Sequence, residues 1–210
     1  MPLSISILGL GKMGENHLRV LDLMKNVEIK FIYDENLERL NYLSKIYNVD
    51  CTQNLDKALA NCNAAYISTP TNTHLSLFKK CSSKVENIFL EKPPAANLRD
   101  SISLKKLAKS NNNFVKCGFI ERFNPTISSL KNILKKNKTI NIDFMRTNKL
   151  SSRIKDVDVV IDLMVHDIDL ALYLNGPVER VFAFNKKQKN KIVFSNAILN
   201  HKNGSISRLQ

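Results

Sequence analysis

The stretch Leu3-Ser4-Ile5-Ser6-Ile7-Leu8-Gly9-Leu10-Gly11-Lys12-Met13-Gly14 decides how this chain is read. Its first half is an apolar, strand-like run. Its second half sets glycines at positions 9, 11 and 14, and the segment from Glu15 to Met24 then reads as a helix. A second strand is expected over Val27–Tyr33, ending at Asp34. Each part has a physical task. Gly9 permits the tight strand-to-helix turn, Gly11 lets the backbone approach a pyrophosphate with no Cβ in the way, and Gly14 lets the helix pack closely on the strand. The N-terminus of that helix offers unpaired N–H groups to a phosphate charge. Asp34 is placed to accept hydrogen bonds from the ribose hydroxyls of adenosine. The plain alternative is an ordinary glycine-rich turn, and the strand–loop–helix–strand–acid order argues against it.

Working outward, strands are expected at 3–8, 27–33, 64–68, 86–90 and 113–119, and helices at 14–25, 36–47, 54–60, 72–82 and 98–110. Such alternation predicts an α/β fold, a doubly wound parallel sheet with helices on both faces. Ligands in these sheets bind at the carboxyl ends of the strands. Three polar loops emerge there: the glycine loop, Ser68-Thr69-Pro70-Thr71-Asn72-Thr73-His74, and Glu91-Lys92-Pro93-Pro94. Together they predict a cleft.

Beyond residue 119 the pattern changes. Pro125 suits a helix start, with the helix running to about Lys136. A strand over 139–147 alternates in part, with Ile140, Ile142 and Phe144 apolar. Val159–Leu174 is an amphipathic helix stopped by Asn175-Gly176-Pro177. Strands follow at 178–184 and 191–199, and His201-Lys202-Asn203-Gly204 signals a hairpin. This predicts an α+β domain at 120–210, its sheet mostly antiparallel, after a dinucleotide-binding domain at 1–119. The sequence reaches Gln210 just as the strand after the hairpin begins. A sheet half built there would expose an edge, so truncation of the chain and completion by a partner are both open.

The chain has 210 residues, of which 43% are hydrophobic. No apolar run reaches the ~18 residues of a membrane span, and no basic start or small-residue cleavage site marks a secretory leader. Cys51, Cys62, Cys81 and Cys117 show no metal-type spacing and read as reduced thiols of a cytoplasmic protein. The net charge of +13 raises nucleic acid as an alternative partner. The lysines, however, fall in scattered pairs without interleaved aromatics, which favours a solvated basic surface that attracts anionic cofactors and substrates.

Two sites carry chemistry. Lys92 ends a strand ahead of two prolines that restrict the backbone, so it can present a cation to a substrate oxygen. A plain surface lysine is the alternative. Asp162 and His166 are spaced to share one helix face, where the carboxylate orients the imidazole and histidine serves as a proton acceptor. A surface pair without consequence and a metal site are the alternatives; no second histidine or cysteine cluster supports a metal, and none is expected.

Taken in order, GLGKMG (9–14), STPTNTH (68–74), LEKPPA (90–95), GFIERFNP (118–125) and DLMVHDIDL (162–170) resemble the GFO/IDH/MocA family of nicotinamide-dependent sugar oxidoreductases over nearly the whole chain. The resemblance implies an N-terminal Rossmann domain followed by an α+β domain whose open sheet forms a homo-oligomer interface. It implies NAD, with NADP as the alternative cofactor, contacted by Gly9, Gly11, Lys12, Met13, Gly14, Asp34, Ser68, Thr69, Pro70, Asn72, His74, Glu91 and Lys92. It also implies a catalytic set in which His166 is the acid/base, Lys92 binds the reacting oxygen, and Asp162 orients that pair. GFIERFNP with MVHDIDL looks most like members acting on UDP-N-acetylhexosamines, so a small-molecule nucleotide-sugar substrate is expected near Glu121, Arg122, Asn124, Arg146, Asn148 and His166, with Thr147 beside them. For Arg122 and Arg146 a structural ion pair stays equally open. A free-sugar or inositol dehydrogenase, a biliverdin-reductase-like enzyme and an inactive NAD-binding remnant are the competing functions. Family members run well beyond residue 210.

Overall fold

The computed structural model describes residues 2–147, 158–188 and 190–210. The chain divides into two compact units, one ending at Gly118 and the other running from Phe119 to Gln210.

The first unit alternates β1 (Leu3–Leu8), α1 (Lys12–Asp22), β2 (Val27–Tyr33), α2 (Leu37–Tyr47), β3 (Cys51–Thr52), α3 (Leu55–Leu59), β4 (Ala64–Ile67), α4 (His74–Ser82), β5 (Asn87–Leu90), α5 (Leu98–Ser110) and β6 (Phe114–Cys117). The sheet order is β3-β2-β1-β4-β5-β6, and all its pairings are parallel. This is the doubly wound sheet expected. The unexpected strand is β3, two residues beside Ile32 and Tyr33 and too short to show any alternation. The β1 strand is central, and Ser4 to Leu8 are buried on both faces, as a parallel strand covered by helices requires. On one face Ile5, Ile7, Leu18 and Leu40 pack together; on the other Leu8, Ile67, Phe78 and Leu90 do. Helix starts are set by asparagine: Asn36, Asn54 and Asn97 accept the N–H groups of Arg39, Lys57 and Asp100. Strand order reverses between β1 and β4, which opens a crevice at their carboxyl ends.

The second unit contains α6 (Pro125–Leu134), β7 (Asn141–Phe144), a π-helical turn (Val160–Met164) running into α7 (Val165–Asn175), β8 (Val178–Gln188), β9 (Lys191–His201) and β10 (Ile206–Leu209). Pro125 opens α6 and Asn124 caps it. The sheet order is β7-β10-β9-β8, parallel between β7 and β10 and antiparallel elsewhere. The strand after the hairpin is therefore interior, and the sheet's edges are β7 and β8. Helix α7 covers one face, where Met164 and Ala171 meet Ala197, Leu199 and Leu209. On the other face Phe182, Phe184 and Phe194 stay exposed.

A buried polar network closes α7 onto the hairpin. Gly176 has a φ of +81° and ends the helix. His201 Nδ1 lies 2.8 Å from Gly176 O and its Nε2 2.8 Å from Ser207 Oγ, which also accepts from Asn175 Nδ2 at 2.9 Å. The helix expected at 159–174 thus begins with a π turn, and β8 runs on to Gln188 because pairing with β9 continues through its polar end.

Candidate active site

In the first unit the glycine loop is shaped by what a side chain would strike. A Cβ on Gly9, whose φ is +92°, would lie 2.7 Å from Thr69 Cγ2, and one on Gly14 would lie 1.8 Å from Gly9 O. A Cβ on Gly11 would meet no protein atom within 4 Å. The loop is thus closed at Gly9 and Gly14 and open at Gly11, which fits a pyrophosphate approaching the backbone there. Gly11 is also the N-cap of α1, and no side chain caps that helix end.

Asp34 holds the loop from below. Its Oδ2 accepts the Leu10 N–H at 2.6 Å and its Oδ1 the Asn36 N–H at 2.8 Å. A carboxylate has further lone pairs for ribose hydroxyls. Arg39, which no motif indicated, donates from Nε to Leu10 O at 2.8 Å and from Nη2 to Glu15 Oε2 at 2.7 Å. Ser68 donates to Gly9 O at 2.9 Å, joining the second loop to the first. Gly9, Gly11, Asp34, Ser68, Thr69 and Pro70 all line a cleft of 560 Å³ that Leu55 and Leu77 extend with apolar surface. Lys12 and Met13 are exposed in the first turn of α1, and Asn72 is exposed after Pro70.

Two expected cofactor contacts are corrected. His74 is 1% exposed, its ring nitrogens 2.9 Å from Thr69 O and 3.1 Å from Pro93 O. It ties two loops together from behind, and burial lowers its pKa despite those carbonyls. Glu91 is 6% exposed, its Oε1 2.6 Å from His17 Nε2 and its Oε2 accepting the Lys92 N–H at 3.0 Å. It turns inward because His17 offers its carboxylate a partner there. Lys92 itself is half-buried, just after β5 and before a cis Lys92–Pro93 peptide.

In the second unit Asp162 lies in the π turn and His166 in the first turn of α7, both half-buried. The buried acids on this helix are their neighbours Asp167 and Asp169. Each takes a guanidinium. Arg146 donates to Asp167 at 2.9 Å from Nη2 and reaches Glu121 at 3.4 Å. Arg122 donates from Nε to Asp169 Oδ2 at 2.7 Å and stacks on Tyr173, 5.2 Å from its ring centre. Arg122 and Arg146 thus take the ion-pair alternative. The positions of Asp167 and Asp169 inside an apolar helix segment are the one local signal that these acids need buried partners. Asn124 is exposed and spends its side chain on the Thr126 N–H at 3.0 Å. Arg146 and Thr147 border a hollow of 160 Å³ together with Leu163, Met164, Phe194 and Gln210. Asn148 lies outside the described residues.

Comparison with known proteins agrees with this fold. The GFO/IDH/MocA family model, an oxidoreductase family with an NAD-binding Rossmann fold, matches residues 3–119. UDP-N-acetylglucosamine 3-dehydrogenase of Acidithiobacillus ferrooxidans is 26% identical over 170 residues, covering 81% of this chain and 53% of that protein. Myo-inositol 2-dehydrogenase of Thermotoga maritima is 26% identical over 190 residues, covering 85% and 57%. The chain thus spans about half the length of the curated relatives it matches. Among solved structures, the Acidithiobacillus enzyme superposes with a TM-score of 0.90 at 25% identity, over 100% of this chain and 69% of that one. With its family match, parallel sheet and glycine loop, this chain belongs to the GFO/IDH/MocA oxidoreductases with an NAD-binding Rossmann fold.

Proposed function

We propose that the chain binds NAD in the glycine-loop cleft and oxidises a secondary ring hydroxyl of a nucleotide-activated sugar, C3 of a UDP-N-acetylhexosamine. The observation that carries the cofactor half is the opening at Gly11, flanked by Asp34 and the uncapped start of α1. In this reading the Gly11–Gly14 backbone holds the pyrophosphate, Asp34 holds the adenosine ribose, and Ser68, Thr69 and Pro70 line the path toward the nicotinamide. The Asp34 carboxylate disfavours a 2′-phosphate, so NAD is preferred over NADP.

When bound, the nicotinamide ring supplies the hydride acceptor. Lys92 binds the reacting oxygen and stabilises charge developing on it. His166 accepts the hydroxyl proton, and Asp162 keeps its imidazole oriented. Copies associate through the second-unit sheet, where Phe182, Phe184 and Phe194 supply apolar surface. A cytoplasmic setting goes with this reading.

The UDP-sugar half is supported by the likeness to UDP-N-acetylglucosamine 3-dehydrogenase. A polyol reading has its own support in the match to myo-inositol 2-dehydrogenase. Purified protein with NAD, offered UDP-N-acetylglucosamine, glucose and myo-inositol in turn, separates them through nicotinamide reduction. Turnover confined to the UDP-sugar is expected. Turnover confined to inositol selects the polyol reading, and NAD binding without any turnover selects the inactive remnant. Lys92→Met should reduce turnover by at least roughly a hundredfold while NAD affinity is kept; full activity in that variant ends the proposed chemistry.

A further inference from the structure

We propose that the His17–Glu91 pair is a positioning device for Lys92, fixing the root of that side chain against the helix that begins at the cofactor loop. The proposal rests on the reading above in taking Lys92 as the group that binds the reacting oxygen.

Lysine carries its charge on a flexible four-carbon stem, so fixing the backbone from which it grows narrows where the charge can go. Glu91 does that from the adjacent position. A buried carboxylate requires partners, and this one has its oxygens divided between two purposes. Oε1 takes the His17 Nε2–H at 2.6 Å, and Oε2 takes the Lys92 N–H at 3.0 Å. Gly118 leaves the space the carboxylate fills, since a Cβ there would lie 3.0 Å from Glu91 Oε2.

His17 is itself held. Its ring meets Phe89 edge-on at 4.9 Å and lies 5.8 Å from Tyr66, and those two rings stack at 4.8 Å. It sits on α1, one turn past Gly14. The chain of contacts therefore runs from α1 through His17 and Glu91 to the Lys92 amide. On the far side of Lys92, His74 Nδ1 lies 3.1 Å from Pro93 O, so the backbone is anchored both before and after the lysine. If the pair served only to fill the core, apolar side chains would suffice, and the second carboxylate oxygen would have no reason to engage Lys92.

The test compares His17→Leu, His17→Gln and Glu91→Leu in the full chain, reading kcat, KM for the sugar, the calorimetric Kd for NAD, and the Lys92 amide resonance. In His17→Leu, kcat is expected to fall on the order of ten- to a hundredfold, with the NAD Kd within about twofold and the Lys92 amide shifted while the Gly9 and Gly11 amides stay in place. His17→Gln, which keeps an N–H donor, should restore most of kcat. Equal losses in the Leu and Gln variants, or a Kd that weakens in step with kcat, overturn the device. If His17→Leu does not fold, Glu91→Leu, which keeps the volume and removes both acceptors, decides: an unchanged kcat and an unmoved Lys92 amide refute the proposal. If the wild type binds NAD but turns over nothing, the catalytic reading fails separately, and the amide resonance alone decides whether the pair positions Lys92.

Discussion

Arg146 Nη2 and Asp167 Oδ1 lie 2.9 Å apart, with Arg146 Nε 3.1 Å from the second carboxylate oxygen. The Asp167 side chain is 6% exposed and that of Arg146 30%. The carboxylate is thus the buried member, and the arginine covers it. Arg146→Ala leaves that charge without its partner and should lower stability by about 1–3 kcal/mol, read from the urea midpoint. Arg146→Lys should recover only part, because an ammonium cannot reproduce the two-pronged contact. The hydrogen bond to Asp167 raises the Arg146 pKa, so this stabilisation is fully present below the ordinary arginine value and is lost only as pH rises above it. An unchanged midpoint in Arg146→Ala would show that the pair contributes nothing.

His74 makes stability depend on pH in the opposite sense. Burial lowers its pKa below the ordinary 6.5, so the folded protein favours the neutral ring. As pH falls through the ordinary histidine value, the unfolded chain takes up a proton that the folded chain does not, and stability drops. Above that value the penalty is absent. The denaturation midpoint of the wild type should therefore decline between pH 7.5 and 5.5 (about one unit either side of the ordinary value), and His74→Asn should flatten the decline while lowering stability throughout. A variant with the wild-type slope would assign the pH dependence to another group.

The contrast between these histidines and the glycine loop shows what was legible in the sequence. Glycines 9, 11 and 14 could be read because their tasks depend on the local backbone, and β1 because its apolar run is continuous. His17 and Arg39 could not, because their partners Glu91 and Leu10 are far away in sequence and meet them only through the fold. His74 and Glu91 take a cofactor role from the family resemblance of the loops they stand in; nothing local tells an outward side chain from one turned into the core. Arg122 and Arg146 were ambiguous for the same reason, since the carboxylates that claim them sit on α7. The two-residue β3 lies below the length at which alternation has meaning.

Asp34 should control cofactor choice and loop order together. Its carboxylate accepts the Leu10 and Asn36 N–H groups, so removing it disturbs the loop as well as the ribose contact. The wild type is expected to bind NAD at least roughly tenfold more tightly than NADP. Asp34→Ala should erase that preference and weaken NAD, whereas Asp34→Asn, which keeps an acceptor but removes the charge, should erase the preference with a smaller loss of NAD affinity. Calorimetric titration with each nucleotide checks this, and a wild type that prefers NADP would refute the role given to Asp34.

Gly11 and Gly14 should separate binding from folding. A Cβ at position 14 would lie 1.8 Å from Gly9 O, a backbone atom that cannot yield without moving the strand-to-helix turn. Gly14→Ala should therefore destabilise the first unit by about 3 kcal/mol or more and abolish NAD binding with it. A Cβ at position 11 meets no protein atom within 4 Å, and Gly11 has a φ of −63°, which alanine adopts without strain. Gly11→Ala should thus melt within a few degrees of the wild type in the absence of nucleotide. The added methyl group then occupies the space through which a pyrophosphate reaches the backbone, so NAD affinity should fall by roughly tenfold or more, and the thermal shift that saturating NAD gives the wild type should shrink to match. A Gly11→Ala protein that binds NAD as the wild type does would move the pyrophosphate away from this loop.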